Sequence, residues 1–143
     1  MALATPVSTW ASTPTAGGAN TAVATGSPAT LKINEWLASP ASPFVDDFVE
    51  LYNPDALPVN LGGLFMTDKP IGQPFRHKIA PLNFIDGFGY RVFIADGNKS
   101  AGPDHLDFSL SADVGEIALL TGSGSIIDCV VYEQQFFGIS QGR

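Results

Sequence analysis

The run Asp47-Phe48-Val49-Glu50-Leu51-Tyr52 alternates bulky and smaller β-formers and is halted at once by Asn53-Pro54. Proline cannot donate to a ladder and pushes the residue before it out of the helical region, so the run is a strand ending in a turn. Alternation also assigns faces: Val49 and Leu51 share one side, Phe48, Glu50 and Tyr52 the other. The side without a charge suits a core, which turns Leu51 inward and Glu50 outward. Upstream, Leu31-Lys32-Ile33-Asn34-Glu35-Trp36-Leu37 reads as a second strand, and Leu61 to Asp68 holds a third. Glu35 has the parity of Leu31, Ile33 and Leu37 and is therefore expected to point toward the core. A buried carboxylate must be paired, bonded to backbone N–H groups or protonated. The structural expectation is a strand-end carboxylate tying down a loop; the functional one is a general acid or a metal ligand.

The rest of the chain repeats this grammar. Leu57 to Leu61 tolerates its proline as an edge strand, and Gly62-Gly63 permits a tight turn or bulge. Leu64 to Thr67 ends at Asp68-Lys69-Pro70, Phe75 to Ile79 is a weak strand with one wet face, and Asp86-Gly87 turns into Tyr90 to Ala95. Leu106, Phe108 and Leu110 alternate with polar residues, and Glu116–Leu120 with Ile126–Tyr132 forms a hairpin around Thr121-Gly122-Ser123-Gly124-Ser125. Fifteen glycines and eleven prolines supply the turns. No window has helical amphipathicity, and no apolar run approaches the roughly 18 residues that cross a bilayer. A chain of 143 residues suits a single core. The expectation is an all-β, antiparallel β-sandwich of about seven to nine strands, lacking the helical crossover that a parallel sheet requires.

The two ends differ from this middle. Residues 1–30 are mostly Ala, Thr, Ser, Gly and Pro without charge and read as a linker, with Trp10 as the exception. Residues 31–132 are the folded domain, and residues 133–143 a C-terminal extension in which Phe136-Phe137 could mark a contact surface or cap the sandwich. Met1 opens no basic n-region or apolar h-region, so any export signal is expected outside this chain. A net charge of −7 with only seven scattered basic residues argues against nucleic acid, whose phosphates require clustered Lys and Arg. The single cysteine, Cys129, excludes an internal disulfide; its parity with Ile127 and Val131 predicts a small buried hydrophobe.

The order INEW…DFVELYNP…VNLGGLFMTD, from Ile33 to Asp68, resembles the opening of the lamin tail domain, an immunoglobulin-like sandwich found in nuclear lamins and many secreted bacterial proteins. The stretch PDHLDFSLSADVGEIALLTGSGSIIDCVVY, from Pro103 to Tyr132, is similar to that family's second half. Leu64-Phe65 stands where the family usually carries a tryptophan after glycine, which alters packing rather than fold. Trp10 to Asn20 resembles the PTPGAAN-type tail that follows such units, and Ser140 to Arg143 the start of their SxGRxPDG element. The resemblance implies that Asn34, Glu35, Glu50, Leu51, Tyr52, Asn53, Gly63, Asp68, Phe108, Leu110, Gly115 and Glu116 are structural motif positions. It further implies a non-catalytic binding or tethering module of a larger exported bacterial protein, at the cell surface or outside the cell. Partners would be other modules of the same chain, a protein or a surface polysaccharide, with no nucleic acid and no membrane insertion.

The residues themselves also bear on other chemistries. Trp36, Tyr52, Phe65, Phe75 and Tyr90 could form the aromatic platform of a carbohydrate-binding module. An accessory domain of a secreted hydrolase or nuclease is a further alternative, and catalysis of its own would demand Glu35 and Glu50 in one pocket. Asp46, Asp47, Glu50 and Asp55, with Asp68, Asp96, Asp104 and Asp107, offer oxygen ligands from which calcium could be held at a sandwich tip, although the spacing is not that of a DxDxDG loop. Solvated loop acids are the simpler expectation, so no cofactor is expected. His77 and His105 stand far apart without Cys or carboxylate at zinc spacing. The Thr121–Ser125 loop lacks the lysine and helix of a phosphate loop, and no Gly-x-Ser-x-Gly elbow occurs.

Overall fold

The computed structural model describes residues 12–19 and 21–143. Trp10 lies outside them. In chain order the strands are β1 (Ser12–Thr13), β2 (Thr21–Ala22), β3 (Lys32–Leu37), β4 (Phe48–Tyr52), β5 (Val59–Asn60), β6 (Phe65–Thr67), β7 (His77–Lys78), β8 (Phe84–Ile85), β9 (Tyr90–Ile94), β10 (Gly115–Leu120), β11 (Ile126–Tyr132) and β12 (Gln141–Gly142). Two four-stranded sheets, β12-β3-β4-β9 and β11-β10-β6-β7, hold eight of them; β1-β2 and β5-β8 are short ribbons. Every named strand pair is antiparallel, and one isolated bridge, Ile94 to His105, is parallel. The molecule is an antiparallel β-sandwich, as the punctuated strand pattern requires.

The core lies between the sheets. From β3 and β4 it takes Ile33, Trp36, Val49 and Leu51, from β9 Phe93, and from the opposite sheet Met66, Ile117, Leu119, Val130 and Tyr132. Val49 and Leu51 are fully buried, so the uncharged face of β4 is the inner one. Trp36 meets Tyr132 across the core with ring centroids 6.0 Å apart. Burial pushes the Tyr132 hydroxyl up to about 12. Gly115 is opposite Tyr132 in register, and a Cβ there would lie 2.3 Å from the hydroxyl oxygen. In the turn before β6, Gly63 adopts φ 87° next to the bond from Leu64 N–H to Leu61 C=O.

Four expectations are altered. Leu106, Phe108 and Leu110 are buried as their alternation demands, yet the segment is no ladder strand: Leu106 N–H donates to Ile94 C=O, and Leu110 N–H to the Asp47 carboxylate at 2.9 Å. Cys129 is half-buried rather than buried, because β11 turns Asp128, Val130 and Tyr132 inward and leaves Val131 exposed. Residues 133–143 are not merely an extension, since Gln141 and Gly142 pair with Trp36 and Glu35 and make β12 an edge strand. Within the stretch read as linker, β1 pairs with β2, and Gly26 N–H donates to Pro58 C=O.

Candidate functional site

A fifth alteration decides the site. In β3 the register slips between Ile33 and Glu35, so Asn34 is a bulge: Ile33 faces Leu51, but Glu35 faces Glu50 and Trp36 faces Val49. An extra residue in one strand exchanges the faces of everything beyond it. Glu35, expected inward with Ile33, therefore lies on the outer face beside Glu50, and Trp36 takes the core position. The bulge is held from the far sheet. Ile33 N–H donates to an Asp128 oxygen at 2.8 Å, and Arg143 pairs with that same carboxylate. Arg143 also donates to Ile33 C=O from Nε and Nη2, at 3.2 and 2.9 Å, and from its backbone N–H to Asn34 C=O. Asp128 is thus the inward carboxylate, and its needs are met by protein groups.

On the outer face, Asn34 Nδ2 donates to Glu50 Oε1 at 2.8 Å. Among the described residues this is the only hydrogen bond or ion pair made by either glutamate side chain. Glu35 and Glu50 line one groove of about 220 Å³ with Leu37, Phe44, Phe48 and Val92. Gly138 and Ser140, from the segment that leads into β12, close one side. Phe44 is 54% exposed and packs on Phe48 with centroids 5.5 Å apart. Phe136, Phe137 and Ile139 are exposed in a turn closed by the bond from Ile139 N–H to Phe136 C=O; Gly138 N–H anchors that turn to Ser39 C=O. The two phenylalanines do not cap the sandwich. Further along the same face, Tyr52 and Tyr90 stack at 4.8 Å, with Tyr52 opposite Lys32 on the other side.

The structural motif positions divide into two groups. Asn34, Glu35, Glu50, Leu51 and Tyr52 belong to β3 and β4. Fully buried Asn53 closes the turn after them: its side-chain amide donates to Leu57 C=O and Asp86 C=O, and its oxygen accepts from Asp55 N–H. The second group is spread over β10, the turns flanking β6 and the buried segment that holds Phe108 and Leu110. Asp68, Gly115 and Glu116 border a shallow depression with Val131, and Asp68 pairs with Arg76 at 2.5 Å. The Arg76 guanidinium lies over the ring of core residue Phe108, 5.3 Å from its centroid. Leu110 is buried nearby in sequence, and Gly63 lies at the turn into β6.

Several acids expected in solvent have protein partners. Asp104 pairs with Arg91 and Asp96 with His105. Asp55 accepts from the Thr30 hydroxyl. Burial raises the Asp47 carboxyl above its ordinary value, against the lowering effect of the Leu110 N–H bond. No group of three or more His, Cys, Asp or Glu side chains is placed to hold a metal ion among the described residues. His77 is buried on the inner face, where its Nδ1 accepts from Asp107 N–H at 3.3 Å. Burial, seconded by Lys99 and opposed by Asp107, lowers its pKa. Burial and the Glu116 and Asp128 charges raise the Cys129 thiol, which makes it a poor nucleophile. The proposed aromatic platform is divided: Trp36 is inside, Tyr52 and Tyr90 lie on one outer face, and Phe65 meets Phe75 edge-on, 5.0 Å away, at the other sheet.

Sequence reasoning missed Asp128 and Arg143, and it missed the groove walls Leu37, Phe44 and Val92. One signal was present: Asp128 shares parity with Val130 and Tyr132 in an otherwise apolar strand, the position of a charge that needs a partner. No helix among the described residues is long and apolar enough to cross a membrane. Comparisons with protein-family models, curated proteins and solved structures found no match to the chain.

Proposed function

We propose that this chain is a non-catalytic, immunoglobulin-like binding or tethering module of the lamin-tail type, belonging to a larger exported bacterial protein. The observation that carries the reading is exposed apolar surface at one groove: Phe44 and Val92 line it, and Phe136, Phe137 and Ile139 are exposed in the turn that supplies its Gly138 wall. Such clustering around one groove suits a contact surface. Glu35 and Glu50 do share this groove, as an enzyme built on two carboxylates would need, but Glu50 Oε1 is engaged by Asn34. A binding role asks nothing more of these residues. In the test, immobilised chain is offered a peptide array, insoluble cell-wall polysaccharides and panels of chromogenic glycosides, esters and nucleic acids. Saturable retention of a protein or polysaccharide without turnover is expected. Turnover that disappears in Glu35→Gln or Glu50→Gln would overturn the reading and make the groove an active site.

The Tyr52–Tyr90 stack favours a second reading, a carbohydrate-binding module, because Tyr90 is 58% exposed on the same sheet face. Affinity electrophoresis separates the two: a polysaccharide that retards the wild-type chain but not Tyr90→Ala supports the sugar platform.

A further inference from the structure

Resting on the binding-module reading, we propose that the groove over Glu35 and Glu50 receives the guanidinium of an arginine presented by an extended segment of a partner protein. The first ground is uncompensated charge. The two glutamates stand directly opposite each other in register, an arrangement of like charges that weakens a sheet. The chain does not relieve it from within: Arg76, Arg91 and Arg143 are each taken by Asp68, Asp104 and Asp128. Lys78 lies over the Phe65 ring on the other sheet, and among the described residues no ion pair joins Lys32, Lys69 or Lys99 to either glutamate. Residues 1–31, which include those outside the described structure, contain no Lys, Arg or His. A chain of net charge −7 with this unpaired couple on an apolar surface is complementary to a cation from outside.

The second ground is shape. At about 220 Å³ the groove is smaller than the roughly 300–1,000 Å³ of pockets that enclose whole small ligands. It suits one long side chain. Its walls are the Phe44 and Phe48 rings, Leu37 and Val92, against which an aliphatic stem can pack while a planar, weakly hydrated cation stacks on a ring and forks to carboxylate oxygens. An ammonium group would satisfy the charge but forgo the stacking, and a neutral sugar would answer neither. The exposed apolar side chains of the neighbouring 136–139 turn would meet residues flanking the arginine, which is why an extended segment is the occupant.

The experiment uses the full chain and a short acetylated, amidated peptide with one central arginine among valine and serine, followed by fluorescence anisotropy at low salt. Saturable binding is expected, weakened at least about tenfold when citrulline, a neutral isostere, replaces the arginine, and several-fold when lysine does. The double variant Glu35→Gln/Glu50→Gln should lose at least about tenfold in affinity while its melting temperature holds or rises, since like-charge repulsion is relieved. A merely structural pair would show the opposite: lower stability and unchanged binding. Equal binding of the citrulline or lysine peptide, or full affinity in the double variant, would overturn the proposal. So would displacement of the peptide by an amino-sugar oligomer at lower concentration than by the arginine peptide itself, which would make the occupant a cationic polysaccharide. If the arginine peptide fails while another protein or polysaccharide is still retained, the groove assignment falls and the module stands. Turnover lost in either single glutamine variant removes the module reading itself.

Discussion

Asp128 and the Glu35–Glu50 pair sit on opposite sides of one bulged strand, and the protein treats them in opposite ways. Asp128 is turned inward, its side chain only 9% exposed, and it receives Ile33 N–H and the Arg143 guanidinium. The glutamates are turned outward, and the groove gives them a single amide, from Asn34. An ion taken out of water must find its partners in the protein or cost several kcal/mol. An ion left at the surface can do without them, and then its free valence is available to something else. Inside, a carboxylate fixes a backbone irregularity; outside, carboxylates a few residues away are left open. The same amino-acid chemistry serves the fold on one side and, in the proposed function, recognition on the other.

The comparison can be broken first at the core that separates the two sides. Leu51→Ala deletes a fully buried side chain beneath Glu50 and should cost about 2–5 kcal/mol in urea melts, because the surrounding sheet cannot close the cavity. A cost under about 1 kcal/mol would mean that the strand is turned the other way. Next, Asp128→Ala removes the clamp on the bulge. The loss should be about 1.5–3 kcal/mol, the scale of hydrogen bonds to a charged group. It stays below that of a fully buried ion pair because the Arg143 side chain is 45% exposed. Hydrogen exchange should quicken at Ile33 and Asn34 before it does in β10. If exchange quickens everywhere equally, Asp128 supports the whole sandwich rather than the bulge.

A third test uses another buried titratable group, His77. Burial lowers the His77 pKa in the folded state, so the unfolded chain binds the proton more readily. By linkage, stability from this group is complete above about 6.5, the ordinary histidine value, and declines as pH falls through it toward the lower folded value. Melting temperature should therefore fall between about pH 7.5 and 5.5, with a smaller fall in His77→Asn, whose amide oxygen can still accept from Asp107 N–H. Identical slopes would assign the decline to other groups. The smallest effect is expected outside: Glu50→Gln keeps the shape, loses one of two facing charges and should change stability by well under about 1 kcal/mol in either direction. If it proved costlier than Asp128→Ala, the division between inside and outside would be reversed.

Much of the sandwich is legible in the order of residues because period-two alternation and turn chemistry are local. Phe48 to Tyr52 needs only its neighbours to be read as a strand with Val49 and Leu51 inward, and Ile126 to Tyr132 is a strand for the same reason. Asn53 declares its turn through the proline beside it. The Leu106–Leu110 segment shows the boundary of this legibility: alternation predicts burial, but whether the backbone pairs in a ladder depends on what lies alongside. There it is the Asp47 carboxylate and the end of β9. Parity alone puts Cys129 inside, whereas the inner face of β11 belongs to Asp128, Val130 and Tyr132.

The sequence by itself therefore determined strands, turns, an all-β class and the inner face of β4, since each follows from steric preferences within a few residues. Only the tertiary structure decided where Glu35 points. Its face depends on a bulge at Asn34, and that bulge is held by Asp128, 95 residues from Ile33, and by Arg143, 110 residues from it. One inserted residue exchanges inside for outside along the rest of the strand. Strand periodicity carries no sign of such an insertion until the distant partners that satisfy the freed backbone groups have been brought alongside.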